Sequence, residues 1–341
     1  MRADEAIYRF WLERRRARFL ENAVRVRDCA VVSVGNLSVG GTGKTPFVQF
    51  LARGFQERGA RVAVVSRGHG GTLSKTGALV SDGKTTFLGA HEAGDEPILH
   101  ARSLPGVGVV IGANRVQAAQ TAIRVLDCDT IVLDDGFGFW SLRRDLDIVL
   151  LDARAPLGDR HLMPRGRLRE PPQALKRADI LVLTRCERAS EAQLAQSESV
   201  LRDLCEAPIF HARHVVLGLR DEANGARFPL ENLRDVKVGA LSAIADNAGF
   251  ATSLRENGAR VVSQKTARDH HAWRQSEVRN FARKARKSGA RAIVTTEKDA
   301  VKVGADWYAP LPLWSLEIGI AVDEKDKLWA QIAAVRAKVR A

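Results

Sequence analysis

The chain has 341 residues, 45% of them hydrophobic, enough to bury the cores of two domains; its 6% aromatic content and lack of an internal period exclude disordered, collagen-like and solenoid classes. Its four cysteines, Cys29, Cys128, Cys186 and Cys205, form no C-x-x-C pair, so neither a disulfide framework nor a zinc knuckle is expected and a reducing compartment fits. A net charge of +13 calls for an anionic partner, whether nucleic acid, phosphorylated substrate or acidic lipid; with no leader-type opening and no apolar run near the ~18 residues of a membrane span, the chain is expected to be neither secreted nor transmembrane.

Residues 1–28, MRADEAIYRFWLERRRARFLENAVRVRD, read as an arginine-rich helix with Tyr8, Phe10, Trp11 and Phe19 interleaved. Helical spacing puts Ala6, Ile7, Phe10, Ala17 and Val24 on one face, closely bordered by Arg14 and Arg18, so the separation of apolar and basic faces is incomplete. Two readings stand. The helix lies in a lipid headgroup layer with its arginines against phosphates, or it packs on its own domain.

From residue 29 to about 185, the runs CAVVSVG, RVAVVSRG, VGVVIGA, TIVLDDG, LDIVLLDA and DILVLTR alternate with helix-like segments. Continuous Val/Ile-rich runs are strands buried on both faces, which predicts a doubly wound α/β domain with a mostly parallel sheet over 29–213. Residues 214–236 carry turn signals, including Asn224-Gly225, and are expected to form a short hairpin-like linker. A smaller α/β domain is expected over 237–341, ending in a C-terminal helix. Within it, RQSEVRNFARKARKSG sets Val278, Phe281, Ala282 and Ala285 on one stripe and basic residues around the rest.

The stretch VVSVGNLSVGGTGKT runs from apolar strand through glycine-rich turn to a helix starting near Lys44, as a phosphate loop requires. Gly40, Gly41, Thr42 and Gly43 would cradle an anion with backbone N–H groups, Lys44 would reach the phosphates and the Thr45 hydroxyl Mg2+. Ser38 stands where the strict pattern has its first glycine, a departure at the loop entrance that leaves the cradle intact. TIVLDDG ends a strand in Asp134 and Asp135, carboxylates able to reach a metal or its water shell. Three further stretches, GDEPILHA, PRGRLREP and ARDHHAW, have the mixed charge and turn residues of loops at a sheet's carboxyl edge. Structural readings compete there: Asp95 or Glu96 capping a helix opened by Pro97, Glu170 as a surface acid, and Asp269 as a cap.

SVGNLSVGGTGKTP, SRGHGG, GDEP, IGANR, DDGF, RDLDIVLLDA, GRLREP, DHH and TTEKDAVK occur in the order and approximate spacing of the tetraacyldisaccharide 4'-kinase family, the lipid A 4'-kinases of Gram-negative bacteria. The chain resembles this family over nearly its whole length. The resemblance implies a P-loop NTPase-like fold with two α/β domains and ATP- and Mg2+-dependent phosphorylation of the 4'-hydroxyl of tetraacyldisaccharide 1-phosphate. It also implies a peripheral position on the cytoplasmic face of the inner membrane, with no nucleic acid and no obligate protein partner. Lys44 would bind the β- and γ-phosphates, and Thr45, Asp134 and Asp135 would hold the metal. Asp95 resembles the family's general base and His270 its partner, with His271 as the alternative. Glu170 resembles a residue near the metal, Arg169 would neutralise charge during transfer, and Arg67 and Arg115 are either contacts for the acceptor's 1-phosphate or structural arginines. Gly138 and His69 depart from the usual glutamine and tyrosine, and no chemistry is derived for Lys298 in TTEKDAVK.

The alternative is a partitioning-type P-loop ATPase acting as a membrane or nucleoid switch. Its signature has a lysine just before the paired glycines, where this chain has Val39, and it has no role for GDEP or DHH. A nucleic-acid-binding module would rest on charge alone.

Overall fold

The chain enters through α1 (Ala3–Glu21) and then alternates strand and helix: β1 (Ala30–Gly35), α2 (Lys44–Glu57), β2 (Val62–Ser66), β3 (Ala78–Ser81), α3 (Ala90–Ala93), α4 (Asp95–Ser103), β4 (Gly108–Ile111), α5 (Arg115–Leu126), β5 (Thr130–Asp134), β6 (Leu146–Asp152), β7 (Ile180–Thr184), α6 (Glu191–Arg202) and β8 (Ile209–Asp221). The computed structural model describes residues 3–269, 271–304 and 307–340. It divides into two units, Met1–His214 with Ile320–Ala341, and Val215–Gly319.

In the first unit the strand order is β8-β7-β6-β1-β5-β2-β4-β3, and neighbours are parallel except at the edge, where β3 runs against β4. The six apolar runs are the central strands, and β1, β2, β4, β5 and β7 are buried at every residue because helices cover both faces. The expected doubly wound α/β fold is what forms. Because β1 lies between β5 and β6, its carboxyl end is the point where the winding reverses, the usual place for a ligand crevice in such sheets.

In the second unit the chain continues through β9 (Arg227–Phe228), β10 (Lys237–Ser242), α7 (Asn247–Glu256), β11 (Arg260–Thr266), α8 (Gln275–Lys287), β12 (Ala292–Thr296), α9 (Glu297–Ala300) and β13 (Leu313–Val322). β11, β10, β12 and β13 follow one another in parallel. Val278, Phe281, Ala282 and Ala285 of α8 are buried as their spacing predicts, in a core with Leu241, Ile293 and Leu313. Asp299, fully buried in α9, accepts bonds from Ala243 N (2.8 Å), Trp273 Nε1 (3.0 Å) and the Thr296 hydroxyl (2.8 Å) and pairs with Lys302 Nζ at 2.9 Å. That network gives part of the TTEKDAVK stretch a structural role: it ties the α9 turn to β10 and to the Trp273 segment.

Two boundaries differ from those drawn on the sequence. Residues 214–236, expected as a linker, form β8 and the β9 hairpin arm around Asn224-Gly225, and from Val215 onward they belong to the second unit. The final helix, α10 (Lys325–Arg340), belongs to the first unit, although chain order placed it with the smaller domain. The cause is Trp329, which stacks edge-on with Phe55 of α2 at 5.1 Å and beneath the Arg58 guanidinium at 4.0 Å. Gly54 permits this approach, since a β-carbon there would fall 2.0 Å from the Trp329 ring.

In α1, Glu5, Tyr8, Leu12, Arg16 and Phe19 make the stripe turned toward the protein, whereas Ile7 and Phe10 of the apolar face drawn on the sequence, and Trp11 beside them, are exposed.

Candidate active site

β1 ends at Gly35, and the chain turns through residues 36–43 into α2, whose first residue is Lys44. Gly43 is in the left-handed region (φ 77°), and a β-carbon there would lie 2.8 Å from His214 Nε2, so both backbone and space favour glycine. Ser38 needs no such freedom. It forms an antiparallel bridge with Leu168, flanked by Val39 N donating to Arg167 O (2.7 Å) and Arg169 N donating to Leu37 O (2.7 Å). The loop entrance is thus strand-like, a conformation open to any residue, and the same pairing brings the GRLREP segment alongside the phosphate loop.

At the mouth of the loop, Lys44 Nζ donates to Asn36 Oδ1 at 3.1 Å and lies 3.4 Å from Asp135 Oδ1. Thr45 is buried in the first turn of α2, and the buried Thr42 hydroxyl has no hydrogen-bond partner among the described residues. The Thr42 carbonyl accepts from Thr184 Oγ1 (3.0 Å), which fixes the loop to the end of β7. A glycine-rich turn that leads into the positive end of a 14-residue helix is suited to hold an anion.

Asp134 and Asp135 end β5 beside the loop. Asp134 is buried, with Ser66 Oγ donating to it at 3.4 Å and His100 Nε2 at 3.3 Å. Asp135 has φ 55°, and this left-handed turn aims its carboxylate at Lys44 and at Arg169, whose Nη1 lies 2.8 Å away. Burial pushes the Asp135 carboxyl up, but the charges of Lys44 and Arg169 outweigh it and hold the group below the ordinary carboxylate value. Arg115 sits over Phe139 (5.1 Å) and donates to Ala113 O; burial, reinforced by the charge of the nearby Arg67, lowers its pKa to about 10.

The geometry therefore gathers Gly40, Gly41, Thr42, Gly43, Lys44, Thr45, Asp134, Asp135, Arg169, Arg67 and Arg115 at one edge of the sheet. Asp95 opens α4, and His100 of that helix reaches Asp134, which ties the GDEP segment to the same edge. Glu170 is held by Arg177 through bonds of 2.8 and 3.2 Å. Among the described residues no three His, Cys, Asp or Glu side chains gather as a metal cage. Mg2+ commonly takes only one or two carboxylates and completes its shell with phosphate oxygens and water. The Thr45 hydroxyl with Asp134 and Asp135 is a donor set of that kind. His270 lies outside the described residues. His271 lies in the second unit, 3.1 Å from Glu277 Oε2 and edge-on to Trp273.

Against known proteins, residues 2–337 match the family model described as tetraacyldisaccharide-1-P 4'-kinase, LpxK. The chain belongs to the tetraacyldisaccharide 4'-kinase family. A tetraacyldisaccharide 4'-kinase from Anaeromyxobacter dehalogenans is 45% identical over 273 residues, 80% of this chain and 72% of that protein. One from Desulfatibacillum aliphaticivorans is 40% identical over 88% of this chain and 81% of its own length. Among solved structures, LpxK from Aquifex aeolicus in complex with ATP superposes with a TM-score of 0.77 at 29% identity, covering 97% of this chain and 96% of that one.

Three residues of this family member's site escaped the sequence reading. Asn36 sits inside the quoted phosphate-loop stretch, but as a non-glycine before the cradle it carried no signal. His100 lies five residues past Asp95 on the buried side of α4, where a histidine reads as core until its partner is seen. Arg177 follows Glu170 by seven residues through a 3-10 turn, a spacing that only the folded chain brings together.

Proposed function

We propose that this chain transfers the γ-phosphate of ATP to the 4'-hydroxyl of tetraacyldisaccharide 1-phosphate. The observation that carries the reading is the placement of Lys44, between Asn36 and the acidic end of β5 at the start of α2, in a chain of this family. ATP binds with its phosphates on the loop 40–45, Lys44 meeting the β- and γ-phosphates. Thr45, Asp134 and Asp135 would hold Mg2+, which when bound would supply charge neutralisation on the phosphate oxygens. Arg169, already oriented by Asp135, balances the charge that develops on the transferred group. The acceptor oxygen bonds to the γ-phosphorus while the bond to the β–γ bridging oxygen breaks and ADP leaves. The hydroxyl proton passes to the Asp95 carboxylate, with His270 as the partner that shares or orients that proton. Glu170, paired with Arg177, supports the loop that bears Arg169, and Arg67 and Arg115 supply positive charge for the acceptor's 1-phosphate.

The enzyme works as a peripheral protein on the cytoplasmic face of the inner membrane. No helix among the described residues is long and apolar enough to cross a membrane, and the exposed Ile7, Phe10 and Trp11 of α1, with Arg14 and Arg15 over the aromatic rings, form a surface suited to acidic headgroups. Asp95→Ala tests the assignment. Transfer to the lipid falls by about 10²–10⁴-fold while ATP binding, followed by fluorescent-nucleotide titration, persists. Undiminished transfer removes Asp95 from its role.

A further inference from the structure

The protein-facing stripe of α1 touches the loop that carries Arg169. Tyr8 OH donates to the carbonyl oxygen of Arg169 at 3.1 Å, and its ring packs on the cluster that contains Leu37, Leu162 and Leu168. Near the start of the helix, the buried Glu5 lies 3.0 Å from His161 Nδ1 and 4.0 Å from Arg165 Nη1. Three turns on, burial and the charge of Arg177 push the Arg16 guanidinium below its ordinary value, which places Arg16 near the Glu170–Arg177 pair.

The loop needs such support. Residues 161–170 contain only isolated bridges, and no helix or strand ladder fixes them. Arg169 N also donates to Leu37 O and Arg169 Nη1 to Asp135, which in turn faces Lys44. Arg169 is therefore gripped at its carbonyl by α1, at its amide by the phosphate-loop entrance and at its guanidinium by the acidic strand end. An arginine side chain has many rotamers, and a displacement of its backbone by an ångström moves the head out of reach of a transferring phosphate.

We propose that Tyr8 is a positioning residue for phosphoryl transfer: its hydroxyl, fixed on the Arg169 carbonyl, holds that arginine against Asp135 and beside the phosphate loop. The proposal rests on the role given to Arg169 above and goes beyond it, because it makes α1 part of the active-site scaffold as well as a surface helix.

The test is a double-mutant cycle with Tyr8→Phe, Arg169→Ala and both together in the full chain, measured in detergent micelles with ATP and tetraacyldisaccharide 1-phosphate. Tyr8→Phe keeps the ring and its packing and removes only the hydroxyl. We expect kcat to fall about three- to tenfold, the KM for lipid, the melting temperature and the recovery with vesicles to stay at their wild-type values, and the double variant to be no slower than Arg169→Ala alone. A melting temperature that falls together with kcat assigns Tyr8 to packing and overturns the proposal, as does an effect that multiplies with that of Arg169→Ala. Wild-type kcat in Tyr8→Phe beside a slow Arg169→Ala overturns this proposal alone. Full transfer by Arg169→Ala overturns the reading beneath it and the proposal with it.

Discussion

At Asp152, the last residue of β6, burial and charge act in opposite directions. Burial pushes the carboxyl up, but bonds from the Arg154 side chain and backbone and from Arg185 (2.9 Å) outweigh it, so the group is held below its ordinary value. A carboxyl with a folded value below the unfolded one of about 3.9 contributes stability that is complete above that value and is lost as pH falls through the folded one. Asp152→Asn is therefore expected to be less stable than the wild type in urea at pH 7, with the difference shrinking as the pH is taken below about 4. A difference that stays constant across that range contradicts the ion-pair account. Residues of this kind also mark the limit of sequence reading. Lys44, Thr45 and Asp135 were legible because a local pattern names them, and Ser38 raised a doubt that its bridge to Leu168 resolves. Asn36, His100 and Arg177 were not legible, since each gains its partner only through tertiary contact.

Among the elements, the buried strands were the most legible, because a run such as ILVLT has a single comfortable place, between two helical layers. α1 was half legible. Tyr8 and Leu12 turn toward the protein, as the packing reading expects, while Ile7, Phe10 and Trp11 are exposed, so the headgroup reading rests on that outer face. Replacing Ile7, Phe10 and Trp11 by serine is predicted to cut recovery with vesicles containing anionic phospholipid by at least about tenfold, since each large side chain contributes roughly 1.5–3 kcal/mol when it leaves water. The specific activity in detergent should be retained, because the inner stripe is untouched. Unchanged sedimentation with vesicles would return α1 to a purely intramolecular role.

For the whole molecule, chain order misled where packing decided. α10 follows β13 in sequence, yet Leu328, Trp329 and Ile332 are buried in the first unit, Trp329 against α2, the helix that the phosphate loop opens into. Trp329→Ala should cost about 3–5 kcal/mol, seen as a lower urea midpoint, because it empties the space between Phe50, Phe55 and Gly54. A loss under about 1 kcal/mol would mean that α10 is a loosely attached end. Such a helix lies outside the site and still backs the element that presents Lys44.

The central claim is that these parts form one lipid kinase, and a transfer assay tests it most directly. Purified protein is incubated with γ-labelled ATP, Mg2+ and tetraacyldisaccharide 1-phosphate in detergent, and the lipid product is resolved by mass and by phosphorus NMR. The account predicts a labelled lipid carrying a second phosphate at the 4'-position, absent when Lys44 is replaced by alanine. ATP hydrolysis without labelled lipid would contradict it.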